Sequence, residues 1–246
     1  MDYKQIVDSL DTGDLMLFAA NFDESKLIEL VTGFPFSHCG MVVKIPGDND
    51  AYFLESVGDS KAFPDPIDHK MEAVGVRVVK LAQMLPYYMP FTNNVLTYRK
   101  LAIERTPAFV EAFFTYVKSV DGTAFPNDES MVVNYVLGHY RNTHAGTNIG
   151  TNQTVLYCAQ VVAGAYLAVG MLPPEIPNNY YAPADFSSLG QAIPLLKGKL
   201  GPDLLVHWTG EVKLTKSKAA ATRDVINSRE FDAKFKHAGA SGSPQG

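Results

Sequence analysis

Eighteen residues from Val155 to Leu172 form one nearly unbroken apolar run, closed by Pro173-Pro174. A stretch of that length has to be buried, inside a domain or across a membrane. Gln160 and two glycines, Gly164 and Gly170, interrupt it. A stable membrane span is therefore not expected, and a core helix is. Such a helix would carry Cys158 in its first turn. There a thiol meets free backbone N–H groups and the positive end of the helix dipole. Both favour the thiolate, the reactive form of cysteine.

A buried helix needs a core to sit in. The chain has 246 residues, 46% hydrophobic and 19% charged, enough for a sizeable one. The formal net charge is −5, and Lys and Arg do not cluster, which excludes a basic nucleic-acid-binding face. The two cysteines, Cys39 and Cys158, are too few for a disulfide framework. With Met1-Asp2-Tyr3-Lys4-Gln5 unlike a signal peptide, the expectation is a reduced, intracellular and cytoplasmic protein.

Strand-like segments dominate the first half. Residues 1–12 read as a short helix or lead-in, and Leu15–Ala19 as a short buried strand. A short helix is expected over Lys26–Thr32, ending at Gly33. Segments 39–45 and 51–57 read as strands joined by the turn formers Pro46-Gly47-Asp48-Asn49-Asp50, a hairpin pattern. Val74–Leu81 alternates Val74, Val76 and Val78 against Arg77 and Lys80, and Asn94–Leu101 reads as a further strand. Pro107 opens a helix to Val120 with Phe109, Val110, Phe113, Phe114 and Val117 on one face.

Residues 126–152 are polar and glycine-rich around a possible short helix at 131–140, and read as an insertion or lid. One or two strands are expected near 204–214. The whole is expected to be a single domain over 1–237 with a flexible tail over 238–246. Strands followed by helices point to an α+β fold with an antiparallel sheet packed against the cysteine helix.

Four pieces, in order, resemble the circularly permuted branch of the NlpC-type, papain-like cysteine hydrolases. Gly13-Asp14-Leu15 resembles that family's opening strand. Ser37-His38-Cys39-Gly40-Met41-Val42-Val43 resembles its Ser-His-x-Gly strand, and Phe53-Leu54-Glu55-Ser56 the strand that follows. Tyr157-Cys158-Ala159-Gln160-Val161-Val162 resembles its cysteine helix. Beyond these four, Ala182-Pro183-Ala184-Asp185-Phe186 also resembles a later Pro-x-Asp element. Histidine precedes cysteine here, as the permuted branch requires. Ala159-Gln160 stands where that family usually has Ser-Glu, and 126–152 is longer than it needs.

The resemblance implies Cys158 as nucleophile, His38 as general base and Glu55 as the residue orienting His38. It implies a peptide, amide or acyl-lipid substrate. No metal or other cofactor is expected, since the short local His/Cys spacings of a zinc site are absent. The expected activity is a cysteine hydrolase of the amidase or peptidase type, acting through a thioester. An acyltransferase or lipid-modifying enzyme on the same fold, or an inactive binding protein, are the alternatives. Tyr157 and Gln160 are candidates for oxyanion or substrate contacts.

The residues have plainer readings too. Free cysteine is often simply buried. His139 and His144 compete with His38 as base, Glu55 could face solvent, and Asp14 suits a structural role at the strand entrance. The aromatic set Tyr87, Tyr88, Phe91, Tyr180 and Tyr181 could line a groove or pack loops.

Strand geometry adds a condition. Opposed residues of an antiparallel pair have a constant sum of numbers. His38 and Glu55 share a sheet face only if that sum is odd, as when Gly40 opposes Glu55.

Overall fold

Short apolar strands, buried on both faces, build the sheet, and the two faces collect two separate sets of helices. The computed structural model describes residues 2–19, 35–58, 60–126, 155–190, 193 and 195–210, with Met1–Gly210 as one compact unit. The helix expected over 26–32, the segment 127–154 with its helix at 131–140, the 238–246 tail and strand residues beyond 210 lie outside the described residues.

The main sheet has six strands: β1 (Leu15–Phe18), β2 (His38–Val43), β3 (Tyr52–Val57), β4 (Gly75–Lys80), β5 (Val95–Arg99) and β6 (Leu204–His207). Their spatial order is β6-β5-β1-β2-β3-β4, and each neighbouring pair is antiparallel. Among the described strands of this sheet, every neighbouring pair but β5–β1 follows chain order. The fold is therefore α+β with an antiparallel sheet, as the segment order predicts.

Side-chain parity separates the faces. Leu15, Leu17, Cys39, Met41, Val43, Leu54, Val76 and Val78 point to one side. There they meet α3 (Pro107–Val120) and α4 (Cys158–Ala168). Met16, Phe18, Val42, Phe53 and Val79 point to the other. They meet α1 (Tyr3–Ile6) and α2 (Leu81–Tyr88).

Local sequence explains the helix ends. Asp2 and Gln5 form a reciprocal capping box on α1. Thr106 caps α3 at the Phe109 N–H, with Pro107 in the first helical position. Helix α4 is apolar on every side because it is covered on every side: residues 158–166 are all buried, against β2, β3, α3 and the turn Asn178–Tyr180.

Helix α2 has no counterpart in the sequence reading. Pro86 lies inside it and Pro90 follows it, a pattern that reads as loop. Its consequence is large, because it covers the face of β4 that carries Arg77.

Asp14 is fully buried at the start of β1. Its carboxylate accepts hydrogen bonds from the Leu101 N–H, the Tyr98 hydroxyl, Lys100 and Arg105. That is the structural role expected of it, with side-chain partners added to the backbone.

Gly40 is required by contact rather than by backbone freedom. A Cβ there would lie 2.4 Å from the Phe53 ring and 2.5 Å from the Leu54 carbonyl oxygen. Gly40→Ala is expected to destabilise the fold by about 1–3 kcal/mol, as overpacking of a rigid site does. Thermal unfolding of the variant checks this; an unchanged midpoint would show that β2 and β3 can separate freely.

Candidate active site

The site forms where the start of β2 meets the start of α4. In β2 and β3, Met41 pairs Leu54, Val42 pairs Phe53 and Val43 pairs Tyr52, a constant sum of 95. That odd register puts His38 and Glu55 on one sheet face as diagonal neighbours. His38 Nε2 lies 2.8 Å from Glu55 Oε2. The odd register that strand parity requires is present.

Glu55 is fully buried, so solvent does not screen it. Its direct partner across the β3–β4 pair is Arg77, also fully buried. Arg77 donates to Glu55 Oε1 from Nε at 2.9 Å and from Nη2 at 2.8 Å. The Tyr88 hydroxyl, from the end of α2, donates to the same carboxylate, 3.0 Å from Oε2. Burial alone would raise the Glu55 pKa; the Arg77 charge and His38 outweigh it and hold the carboxyl below its ordinary value. His38, Glu55 and Arg77 thus form a line across three adjacent strands, with Tyr88 above it.

His38 is packed by the rings of Phe18, Phe53 and Tyr88, at 5.8, 6.4 and 5.8 Å between centroids. Its side chain is 14% exposed. As the first residue of β2 it reaches Glu55 on its own face and also the Cys158 thiol at the end of the sheet. With Nε2 given to Glu55, Nδ1 is the nitrogen left for the thiol. Burial pulls the His38 pKa down, but hydrogen bonds and charges from Cys158 and Glu55 prevail and lift it to about 9.

Cys158 is the first residue of α4. Cys39, on the opposite face of β2 from His38, meets it with its thiol and its backbone N–H. Those contacts, with His38, hold the Cys158 thiol well below its ordinary pKa against the penalty of burial. Cys39 moves the other way: burial and its hydrogen bond with Cys158 push its thiol up. One cysteine is therefore set to ionise and its neighbour to stay neutral, and the two are free thiols.

The chain entering α4 is anchored three ways. The Leu156 N–H donates to the Ala124 carbonyl, and the Ser56 hydroxyl donates to the Leu156 carbonyl at 2.6 Å. The Tyr157 hydroxyl lies 2.8 Å from the Asn179 carbonyl oxygen and 3.0 Å from that of Tyr181. β3 thus serves both sides of the site: Glu55 meets His38 on one face and Ser56 holds the cysteine turn on the other. Ser56→Ala is expected to cost about 1 kcal/mol of stability, the ordinary worth of such a bond. It should also slow Cys158 alkylation, read at fixed pH with a small haloacetamide. Wild-type labelling would show that the turn holds its place without Ser56.

Tyr157 and Gln160, expected near the oxyanion, are placed at the helix entrance. Gln160 is buried, and its Oε1 accepts from the Tyr157 N–H at 3.2 Å. The Tyr157 hydroxyl faces backbone carbonyls. Free N–H groups at the start of α4 are the donors this arrangement offers to a developing oxyanion.

His139, His144 and the expected lid lie outside the described residues. Arg77 and Tyr88 were not foreseen as members of the site. The signal for Arg77 was its register opposite Glu55, and for Tyr88 its place in the aromatic set.

A separate acidic group, Asp65, Asp68 and Asp121, brings carboxylate oxygens within 4.8 Å of one another. Burial, then the charges of Asp65, Asp68 and Glu72, push Asp121 up to about 7, and Asp65 and Asp121 share a hydrogen bond.

No family model and no curated protein matches the chain. Among solved structures it is similar to the metalloprotein yiiX from Escherichia coli O157:H7, DUF1105, with a TM-score of 0.44 and 18% identity over 78% of this chain and 89% of that one.

Proposed function

We propose that this protein is a thiol hydrolase or acyltransferase of the papain-like, permuted NlpC type, with Cys158 as nucleophile, His38 as acid–base and Glu55 as the residue that orients His38. The observation that carries this reading is the continuous contact from Cys158 through His38 to Glu55 at the first turn of a buried helix.

The chemistry follows from the protonation states. In the resting pair, imidazolium Nε2–H donates to Glu55 and Nδ1–H faces the thiolate. The sulfur attacks the carbonyl carbon of an amide or ester, a C–S bond forms, and the carbonyl electrons move to oxygen beside the helix N–H groups. As the tetrahedral species collapses, Nδ1 gives its proton to the leaving nitrogen or oxygen. A thioester and a neutral imidazole remain. Water, or an acceptor amine or hydroxyl, then loses its proton to Nδ1 and attacks the thioester, restoring the thiolate pair. Hydrolase and acyltransferase differ only in that acceptor.

The direct test is to trap the acyl-enzyme with a panel of p-nitrophenyl esters and aminoacyl anilides. Peptide mapping should place one acyl group on Cys158, and Cys158→Ala should yield neither adduct nor catalysed release. Equal release from wild type and Cys158→Ala would contradict the proposal.

A further inference from the structure

We propose that Arg77 is a positioning residue for this chemistry: its guanidinium balances Glu55, which leaves the positive charge of His38 for the Cys158 thiolate. The inference rests on the reading of Cys158 as nucleophile given above.

The argument is a balance of buried charge. Cys158, His38, Glu55 and Arg77 form a chain of contacts whose charges alternate, with a net charge of zero. Without Arg77, the Glu55 carboxylate and His38 would neutralise each other. The thiolate would then be the unbalanced charge in a site from which water is largely excluded, and its protonated form would win.

The geometry suits that role. Arg77 and Glu55 are opposed across β3 and β4, and the fork of Nε and Nη2 closes on Oε1. The remaining donors are committed elsewhere: Nη1 to the Lys61 and Glu72 carbonyls at 3.0 Å each, and Nη2 also to the Ser60 hydroxyl at 3.0 Å and to Tyr88. Phe63 packs beneath the guanidinium at 5.3 Å. Arg77 is thus fixed at both ends, and a flexible ammonium does not reproduce it.

Among the described residues, the titratable and charged groups acting on the reacting pair are few. Glu55 faces Cys158's partner His38, Arg77 and Tyr88; Cys158 faces His38 and Cys39; Asp185 acts on Cys39. Arg77 supplies the positive charge behind Glu55.

Arg77 also ties down the 60–72 segment, so stability alone would not separate the two roles. The pH profile of alkylation does. Iodoacetamide is the probe, with Cys158 read by peptide mapping and folding by circular dichroism. Wild type should be near its labelling plateau by pH 6. Arg77→Met should lower labelling at pH 6 about tenfold, as the thiolate falls from most of the population to roughly a tenth of it. Arg77→Lys should fall between the two.

In a Glu55→Gln background, Arg77→Met should change labelling less than twofold, because Arg77 acts through Glu55. That double variant holds no unpaired buried charge. If Arg77→Met alone does not fold, the double variant and Arg77→Lys supply the reading.

A folded Arg77→Met, or Arg77→Lys where Arg77→Met does not fold, with the wild-type profile would overturn the proposal. So would an equal shift with and without Glu55. Wild-type Cys158 that labels only above pH 8 would remove the nucleophile reading, and the proposal with it. Fast wild-type labelling with no effect of Arg77 would remove the proposal alone.

Discussion

Glu55→Gln should be the most damaging single change at this site, costing about 3–5 kcal/mol of stability. The amide keeps the size of the side chain but removes a charge, and Arg77 is left fully buried without a counter-ion. Removing one partner of a buried ion pair carries a penalty of that order. For a domain of this size the unfolding midpoint should fall by roughly 10 °C. Glu55→Gln combined with Arg77→Met should recover much of the loss, because no buried charge then lacks a partner. Calorimetry of the two single variants and the double measures the coupling. Additive losses would show that the two side chains do not depend on each other.

His38→Ala should lower turnover by about 10²–10⁴, the usual range for loss of a general acid–base. It should leave most of the stability, since Glu55 keeps Arg77 and Tyr88 as partners. Alkylation of Cys158 at pH 6 should slow with it, because the thiol returns toward an ordinary pKa of about 8.5. Wild-type turnover in a folded His38→Ala would assign the base to another residue.

The pH dependence has a defined sign on each side. The His38 pKa, raised to about 9, means that its contribution to stability is complete below its unfolded value and is lost as pH rises through about 9. Glu55, held below its ordinary value, contributes above that value and loses the contribution as pH falls through its folded pKa. Turnover should follow a bell: an acid limb where Cys158 gains its proton, and an alkaline limb near 9 where His38 loses the proton the leaving group needs. Alkylation, which needs thiolate alone, should show the acid limb and no alkaline fall.

Much of this site was legible before any coordinates. Short apolar segments mark β1 and β5, the turn formers between 45 and 51 mark β2 and β3 as a hairpin, alternation marks β4, and the apolar run with Pro173-Pro174 behind it marks α4 and the place of Cys158. The resemblance paired His38 with Glu55, and parity set the condition, an odd register, under which they share a sheet face.

What escaped the reading traces to α2. Pro86 and the aromatic residues around it gave no helical period, so nothing was expected to cover the second face of β4. Arg77 alternates with Val76 and Val78 and therefore reads as solvent-facing. Once Leu81, Met84, Leu85 and Tyr88 pack over that face, the same alternation buries it. The Cys39–Cys158 contact was equally hidden, since it needs the relative placement of β2 and α4, which local pattern does not specify.

The central claim is that Cys158 is a thiolate paired with His38 at neutral pH. Ultraviolet absorbance of the thiolate, taken as the difference between wild type and Cys158→Ala from pH 4 to 10, tests it most directly. The account predicts a midpoint well below 8.5, moving up toward that value in His38→Ala. A wild-type midpoint at or above 8.5, unchanged in His38→Ala, would contradict it.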